Sequence, residues 1–166
     1  LQSGCNKILA KMQRRYNREL FATRIDKIKS LMPDAFIGVD VIVGFPGETD
    51  EDFQDTLEFL KKTDASYYHV FSYSERPNTK SALLDDKVPK SKITERSKTV
   101  QALADQKQSN FYKQNIGKEE KVLFESTKRD GLIFGFTRNY IKVETKFDRL
   151  LIGEIKDVLL ESMAES

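Results

Sequence analysis

The 166-residue sequence lacks the residue types that several kinds of functional site require. Its single cysteine, Cys5, excludes an internal disulfide and any metal site built from cysteines of this chain, and it favours a reducing, cytoplasmic compartment. Tryptophan is absent and His69 is the only histidine. No apolar run approaches the roughly 20 residues of a membrane helix, and no nucleophile–base pair typical of hydrolases is present. We therefore expect neither a membrane anchor nor hydrolase chemistry.

The residues that are present suit one domain or two small ones, because domains usually contain roughly 100–150 residues. Hydrophobic residues make up 39% of the chain, and 11 Phe and 6 Tyr supply bulk for a core. The net charge of +2 conceals an uneven distribution, with eight basic side chains between Lys7 and Lys29 and six between residues 89 and 116. Such stretches suit phosphate contacts. The solvated face of a helix has the same composition, so both interpretations stay open.

Helix and strand patterns alternate in the first half of the chain. Residues 6–32 predict two helices that break near Tyr16-Asn17, and residues 36–43 predict a strand that is apolar on both faces except at Asp40. A strand covered on both faces is typical of a parallel sheet flanked by helices. Thr49 is expected to cap the next helix, and residues 67–73 predict a second strand. This alternation favours a parallel α/β sheet or barrel.

The second half has a different pattern. Residues 89–116 predict one long amphipathic helix. After Gly117, four or five short strand-like runs predict a small antiparallel barrel or sheet. Two parallel strands are too few for an independent domain, and the sequence starts without Met. We therefore expect a piece of a longer protein.

The segment Gly44-Phe-Pro-Gly-Glu48 follows the first predicted strand, where parallel α/β folds bind their ligands. Its glycines allow a ligand close to the backbone, and the next helix N-terminus favours anions. The Lys-Ser/Thr pair of a Walker loop is absent. A tight strand-to-helix turn that needs glycine for its geometry is the alternative interpretation.

Three other positions have both a functional and a structural interpretation. Asp40 is either a lumen-facing ligand contact or a paired structural acid. His69, in the middle of a predicted strand, is interpreted as a hydrogen-bonded core histidine, and Cys5 as a packed side chain. The loop pair Glu75-Arg76 suits either the mouth of a barrel or an exposed ion pair of little energetic value.

Three segments together resemble the radical SAM methylthiotransferases. They are Leu1-Gln-Ser-Gly-Cys-Asn6 with Met12-Gln-Arg-Arg-Tyr16, then Asp40-Val-Ile-Val-Gly-Phe-Pro-Gly-Glu-Thr49, then His69-Val-Phe-Ser-Tyr-Ser-Glu-Arg-Pro77. The resemblance covers essentially the whole chain. It is nearest to the MtaB branch, whose members modify N6-threonylcarbamoyladenosine beside the tRNA anticodon, and MiaB-type enzymes are near relatives.

The resemblance implies an α/β part followed by a small all-β part. Residues 1–88 would be the C-terminal part of a radical SAM partial βα barrel, residues 89–116 a linking helix, and residues 117–166 a TRAM-like antiparallel β-barrel that helps hold the tRNA anticodon arm. A barrel cut in this way exposes a strand edge, so we expect self-association through residues 36–73.

The chemistry implied by the resemblance uses S-adenosylmethionine and two 4Fe–4S clusters in the parent enzyme, which transfers a methylthio group. The CxxxCxxC motif that ligates the radical cluster is absent, and one cysteine cannot hold a cluster. This chain alone is therefore expected to hold none of these cofactors and to be inactive. Two alternatives remain open: an RNA-binding module only, or a radical SAM enzyme with a non-RNA substrate.

The resemblance also implies site residues. The residues expected to bind S-adenosylmethionine are Ser3, Arg14, Arg15, Val43, Gly44 and Phe71. Those expected at the substrate mouth are Asp40, Glu48, Glu75 and Arg76. Those expected to contact RNA are Arg138, Asn139, Tyr140 and Lys142, with Tyr140 as a stacking ring.

Overall fold

A computed structural model describes residues 1–164, without the side chains of residues 127 and 128. The chain divides into two compact units, one formed by residues 1–108 and the other beginning at residue 109. In the part that is described, no helix is both long enough and apolar enough to cross a membrane.

Helices and strands alternate in the first unit. The helices are α1 (Asn6–Lys11), α2 (Arg18–Leu31), α3 (Asp50–Lys62) and α4 (Lys90–Lys113), the last of which continues past residue 108, and the strands are β1 (Gly38–Val43) and β2 (Tyr67–Ser72). The predicted break between the first two helices is confirmed. Asn17 ends it, because its side chain accepts a hydrogen bond from the Leu20 N–H at 2.9 Å and caps α2.

The sheet of the first unit is parallel, as predicted. β1 pairs with β2 in a register that runs from Gly38 opposite Tyr67 to Val43 opposite Ser72. On its other side, β1 forms a parallel bridge with Gln2, whose N–H donates to the Asp40 carbonyl and whose carbonyl accepts from the Ile42 N–H, both at 2.8 Å. β1 therefore has hydrogen-bonded neighbours on both sides.

The prediction that β1 is covered on both faces is wrong. Its side chains alternate: Val39, Val41 and Val43 are buried, whereas Asp40 is exposed and Ile42 is half-buried. The buried set packs in one core with residues of α3 and α4, which lie on the same side of the sheet. His69 of β2 is exposed, so its interpretation as a core histidine is also wrong. One face of this two-stranded sheet is open within the described residues.

Helix α3 begins where the sequence predicts. The Thr49 hydroxyl accepts from the Asp52 N–H at 3.2 Å, and the Asp52 carboxylate accepts from the Thr49 N–H at 3.0 Å. This reciprocal pair forms a capping box. Burial acts to raise the pKa of Asp52, but hydrogen bonds from Lys7 and Thr49 outweigh burial and lower this pKa to about 2.

Helix α4 lies alongside α3 and contacts it near both ends. Arg96 donates to the Asp50 carboxylate at 2.7 Å, at the start of α3. Lys107 donates to the carbonyls of Lys61 at 3.0 Å and Thr63 at 2.6 Å, at its end. The two helices therefore run in the same direction, as successive helices do on one face of a parallel sheet.

The second unit is a four-stranded antiparallel sheet. Its strands are β3 (Glu119–Arg129), β4 (Leu132–Thr137), β5 (Lys142–Lys146) and β6 (Ile155–Leu159), in the order β5-β4-β3-β6. Val122, Phe124 and Ile133 form its core. At the base of the sheet, the Gly117 N–H donates to the Leu160 carbonyl at 2.7 Å, and the Leu160 N–H donates to the Lys118 carbonyl at 3.0 Å.

Candidate ligand-binding cleft

A cleft of about 530 Å³ lies in the first unit at the carboxyl ends of β1 and β2. Ile42, Phe71 and Ser72 supply its strand side. The end of α1 and the loop that follows β2 supply two further walls. This is the end of a parallel sheet where α/β folds bind ligands.

The charged residues that line the cleft are all cations. Lys11 and Arg14 come from the α1 side, and Arg76 and Lys80 from the loop after β2. None of the four forms an ion pair within residues 1–164, and Arg14 donates to the neutral Gln2 amide at 3.1 Å. Unpaired cations around an open cleft favour an anionic ligand.

One wall of the cleft is aromatic and apolar. Phe45 stands edge-on to Tyr73, with ring centroids 5.3 Å apart, and Met12 packs against the same small core. Phe71 is 52% exposed beside them. Such surfaces hold planar rings. The Tyr73 hydroxyl is buried, and no hydrogen-bond partner for it is present in the described part of the chain.

The Gly44–Glu48 turn forms one wall of the cleft through Phe45. Gly44 has a φ of 78°, in the left-handed region that favours glycine, and its N–H donates to Glu48 Oε2 at 2.7 Å. The Glu48 N–H donates to the Phe45 carbonyl at 3.0 Å. A side chain thus closes the turn onto the end of β1.

Arg96 of α4 binds both the side chain and the backbone of Glu48. Nη1 of Arg96 donates to Glu48 Oε2 at 2.7 Å and to the Glu48 carbonyl at 3.1 Å. The Arg96 guanidinium also lies over the Phe53 ring, 5.3 Å from its centroid. Burial raises the pKa of Glu48, and the Gly44 N–H and the Arg96 charge oppose that rise.

The cleft brings together three of the residues predicted from the sequence. Arg14 and Phe71, expected at S-adenosylmethionine, line it together with Arg76, expected at the substrate mouth. Val43 and Gly44 lie next in sequence to lining residues, and one backbone group of each already has a partner. The Val43 carbonyl accepts from the Tyr73 N–H at 2.9 Å, and the Gly44 N–H is bonded to Glu48.

The other predicted residues of the first unit do not join the cleft. Ser3 is buried, and its hydroxyl lies 3.1 Å from the Thr56 hydroxyl. Arg15 is exposed outside the lining set, and Glu75 pairs with Lys87 at 2.6 Å. Asp40 lies on the open face of the sheet, opposite His69 in register.

Glu48 requires a correction. Its side chain has no exposed surface, so its carboxylate does not reach a substrate mouth. The reason is the Arg96 ion pair, which keeps the carboxylate inside the protein.

The predicted RNA-contact residues lie together in the β4–β5 hairpin of the second unit. Arg138 is exposed in the turn, Asn139 is half-buried, and Tyr140 is 70% exposed with a φ of 63°. Lys142 begins β5, and its ammonium lies 4.6 Å from the centroid of the Phe134 ring. In the sequence of the hairpin, the exposed Tyr140 therefore lies between two cations, Arg138 and Lys142.

Arg96, which binds the buried Glu48, is one of the residues that the sequence analysis missed. On α4, the buried residues Val100, Ala104 and Phe111 follow one stripe of the helix, and Arg96 and Lys107 fall on the same stripe. A cation within the apolar stripe of a helix faces the protein interior, so it indicates that an acidic or carbonyl group lies there to bind it. Tyr73 and Lys11 gave no comparable signal.

An iron–sulfur cluster does not fit the residues of this chain. Its one thiol, Cys5, is buried and donates to the Asp52 carboxylate at 3.5 Å, and burial raises its pKa. Among residues 1–164, no group of three or more His, Cys, Asp or Glu side chains is arranged to hold a metal ion.

Comparisons with known proteins agree with this architecture. A family model described as the radical SAM superfamily matches residues 1–60. The threonylcarbamoyladenosine tRNA methylthiotransferase MtaB of Thermotoga maritima is 39% identical over 99% of the chain and 38% of its own length. The protein of that name from Bacillus subtilis is 38% identical over 95% of the chain and 36% of its own length.

A second group of relatives is named for a different activity. The tRNA-2-methylthio-N(6)-dimethylallyladenosine synthase of Sulfurimonas denitrificans is 34% identical over the whole chain and 38% of its own length. The chain thus spans less than two fifths of the length of these three relatives.

Proposed function

Because the chain belongs to the radical SAM methylthiotransferase family, we propose that it is part of an enzyme that adds a methylthio group to a modified adenosine of tRNA, with N6-threonylcarbamoyladenosine as the substrate. The relatives named for that nucleoside support this choice, and a tRNA substrate implies a cytoplasmic reaction. Since the chain matches less than two fifths of those relatives, the activity belongs to the complete enzyme.

The observation that carries the choice of nucleoside is the charge of the cleft. Four cations and no carboxylate line it, beside an aromatic wall. A threonylcarbamoyl group carries a carboxylate, whereas a dimethylallyl group is neutral and apolar. Guanidinium and ammonium groups bind carboxylates with charge-assisted hydrogen bonds. The cleft therefore favours the anionic nucleoside.

This chain's residues have two roles in the proposal. Arg14 and Phe71 face S-adenosylmethionine, whose amino-acid end carries a carboxylate and whose adenine needs an apolar surface. Arg76 and Lys80, on the loop after β2, bind the substituent of the substrate base. When bound at its cluster, S-adenosylmethionine supplies the radical chemistry of the reaction. One cysteine is too few to hold a cluster, so we propose that this chain alone does not catalyse the reaction.

Nucleoside binding tests the assignment directly. We expect this chain, titrated at low salt, to bind N6-threonylcarbamoyladenosine at least several-fold more tightly than N6-dimethylallyladenosine. The double variant Arg76→Gln/Lys80→Gln should remove that preference. The matched control Lys98→Gln, an exposed position on α4, should preserve it. Equal affinity for the two nucleosides, or tighter binding of the dimethylallyl compound, would overturn the assignment.

A second candidate function, RNA binding by the second unit, is favoured by the β4–β5 hairpin. Tyr140 is exposed for stacking between Arg138 and Lys142. We expect tRNA binding by this chain to weaken in Arg138→Ala/Lys142→Ala. The slope of log affinity against log salt concentration should become shallower by about 1–2. The control Lys121→Ala/Lys156→Ala removes lysines already paired with Asp157 and Glu154, so it should have a smaller effect. Equal effects of the two double variants would contradict a hairpin interface.

A further inference from the structure

We infer that Arg96 is a positioning residue for the cleft, although it lies outside it. Acting through Glu48, it fixes the conformation of the Gly44–Glu48 turn and therefore the place of the Phe45 ring in the cleft wall. The consequence for ligand binding rests on the proposed function, whereas the effect on the turn does not.

The first step is the contact between α4 and Glu48. The Arg96 side chain is 5% exposed and that of Glu48 is fully buried. One Arg96 nitrogen binds both the carboxylate and the backbone carbonyl of Glu48. Glu48 Oε1 has no partner in the described structure. A buried carboxylate with one unsatisfied oxygen depends strongly on its single cationic partner.

The second step leads from Glu48 to the backbone of the turn. Oε2, the oxygen that Arg96 binds, also accepts the Gly44 N–H at 2.7 Å. The Glu48 N–H in turn donates to the Phe45 carbonyl. Arg96 thus orients the acceptor that keeps Gly44 in its left-handed conformation. Glu48 holds the turn twice, because its side chain binds Gly44 and its backbone N–H binds Phe45.

The third step leads from the turn to the cleft. Phe45 directly follows Gly44, packs with Cys5 and Ile8, and meets the Tyr73 ring edge-on in the cleft wall. A rotation at Gly44 would move the Phe45 ring away from Tyr73. Small displacements of positioning groups alter binding because the contacts of a site depend on distances of a few tenths of an ångström.

Lys92 provides the matched control. It lies one turn before Arg96 on α4 and pairs with Asp50, an acid that Arg96 also binds. Among the described residues, no hydrogen bond or ion pair joins Lys92 to Glu48. Replacing Lys92 removes a cation from the same helix and the same acidic partner, but it leaves the hydrogen bonds of the turn in place.

The experiment measures the Gly44 amide by NMR in this chain, with no ligand present. We expect Arg96→Met to increase the exchange rate of the Gly44 amide at least tenfold relative to the Leu60 amide, and to move the Gly44 amide resonance upfield as the carboxylate bond weakens. Lys92→Met should leave both readouts unchanged. Arg96→Lys restores the charge with fewer donors, so partial rescue of the resonance is expected.

Two outcomes would overturn the inference. One is a Gly44 amide that behaves alike in Arg96→Met and Lys92→Met. The other is a uniform rise in exchange across Gly44 and Leu60, which would mean that Arg96 only stabilises the fold.

Binding of N6-threonylcarbamoyladenosine is measured on the same samples, and we expect Arg96→Met to weaken it at least fivefold. If the unsubstituted chain does not bind the nucleoside, the proposed function fails, while the Gly44 amide still decides whether Arg96 positions the turn.

Discussion

Ile93 of α4 fills the space beside Gly44 in which every other amino acid would carry its Cβ atom. The contact adds a steric requirement to the left-handed conformation of Gly44. Gly44 is therefore needed for two independent reasons, its backbone angles and the closeness of a neighbouring helix.

Gly44→Ala is expected to lower the free energy of unfolding by about 3 kcal/mol, since a left-handed alanine and an overpacked contact each cost roughly 1–2 kcal/mol. Urea unfolding measures the loss. In an Ile93→Ala background the same substitution should cost only about 1 kcal/mol, because the space beside Gly44 is then open. Equal costs in the two backgrounds would show that Ile93 does not limit this position.

Removal of two buried tyrosine hydroxyls should have different effects on the free energy of unfolding. The Tyr68 hydroxyl donates to the Leu60 carbonyl at 2.6 Å, whereas that of Tyr73 has no partner in the described structure. We expect Tyr68→Phe to lower the free energy of unfolding by about 1 kcal/mol and Tyr73→Phe to leave it unchanged or raise it by up to about 1 kcal/mol. Chemical denaturation of the two variants checks the pair. A clear loss of stability in Tyr73→Phe would show that its hydroxyl has a partner.

Lys107 stabilises the end of α3. Its ammonium binds the Lys61 and Thr63 carbonyls, which have no acceptor role within the helix, and burial lowers its pKa. Lys107→Met keeps the length of the side chain but loses both bonds, so we expect a destabilisation of about 1–2 kcal/mol. The exposed Lys98→Met is the control and should have little effect on the thermal midpoint. Similar losses in both variants would indicate a general effect of charge.

Asp52 should make the fold sensitive to acid. Its pKa in the folded state is about 2, below the ordinary value of about 3.9 for an unfolded aspartate. A carboxyl group with a lowered pKa contributes stability above the unfolded value, and that stability is lost as the pH falls through the folded value. We expect Asp52→Asn to cost about 2 kcal/mol at pH 6 and almost nothing at pH 2. Urea unfolding at several pH values tests this, and a cost independent of pH would contradict it.

The sequence predicted the local elements well because their signals lie within a few residues. Asn17 interrupts the helical pattern and Thr49 precedes an acidic first turn, and each caps its helix as such residues do. The parallel pairing of β1 with β2 followed from the alternation of helix and strand.

The apolar pattern of β1 did not show that only one face of the sheet is covered by helices. Ile42 is apolar and yet half-buried in the cleft wall, so the apolar run of β1 looked like a strand enclosed on both sides. The composition of a strand does not distinguish an apolar residue in the core from one that lines a binding cleft. His69 was placed in the core because its strand looked enclosed on both faces, whereas its side chain is exposed.

The predicted site was partly recovered, and the missing part depends on contacts distant in sequence. Arg14, Phe71 and Arg76 meet in one cleft. Arg96 lies 48 residues from Glu48, and only the folded chain shows that this pair withdraws Glu48 from the surface. A charge within an apolar helix stripe is a sign of such a pair, but it does not identify the partner.

Two hydrogen bonds join Gly117 and Lys118 to Leu160. They place the residues just before β3 next to the residue just after β6, so the two ends of the sheet segment are neighbours. A stretch whose ends already touch can be attached to, or removed from, another polypeptide with little loop-closure entropy. The sheet therefore has the geometry of a segment that can be exchanged between polypeptides as one unit. Recombination at these two positions would transplant all four strands and leave every ladder intact.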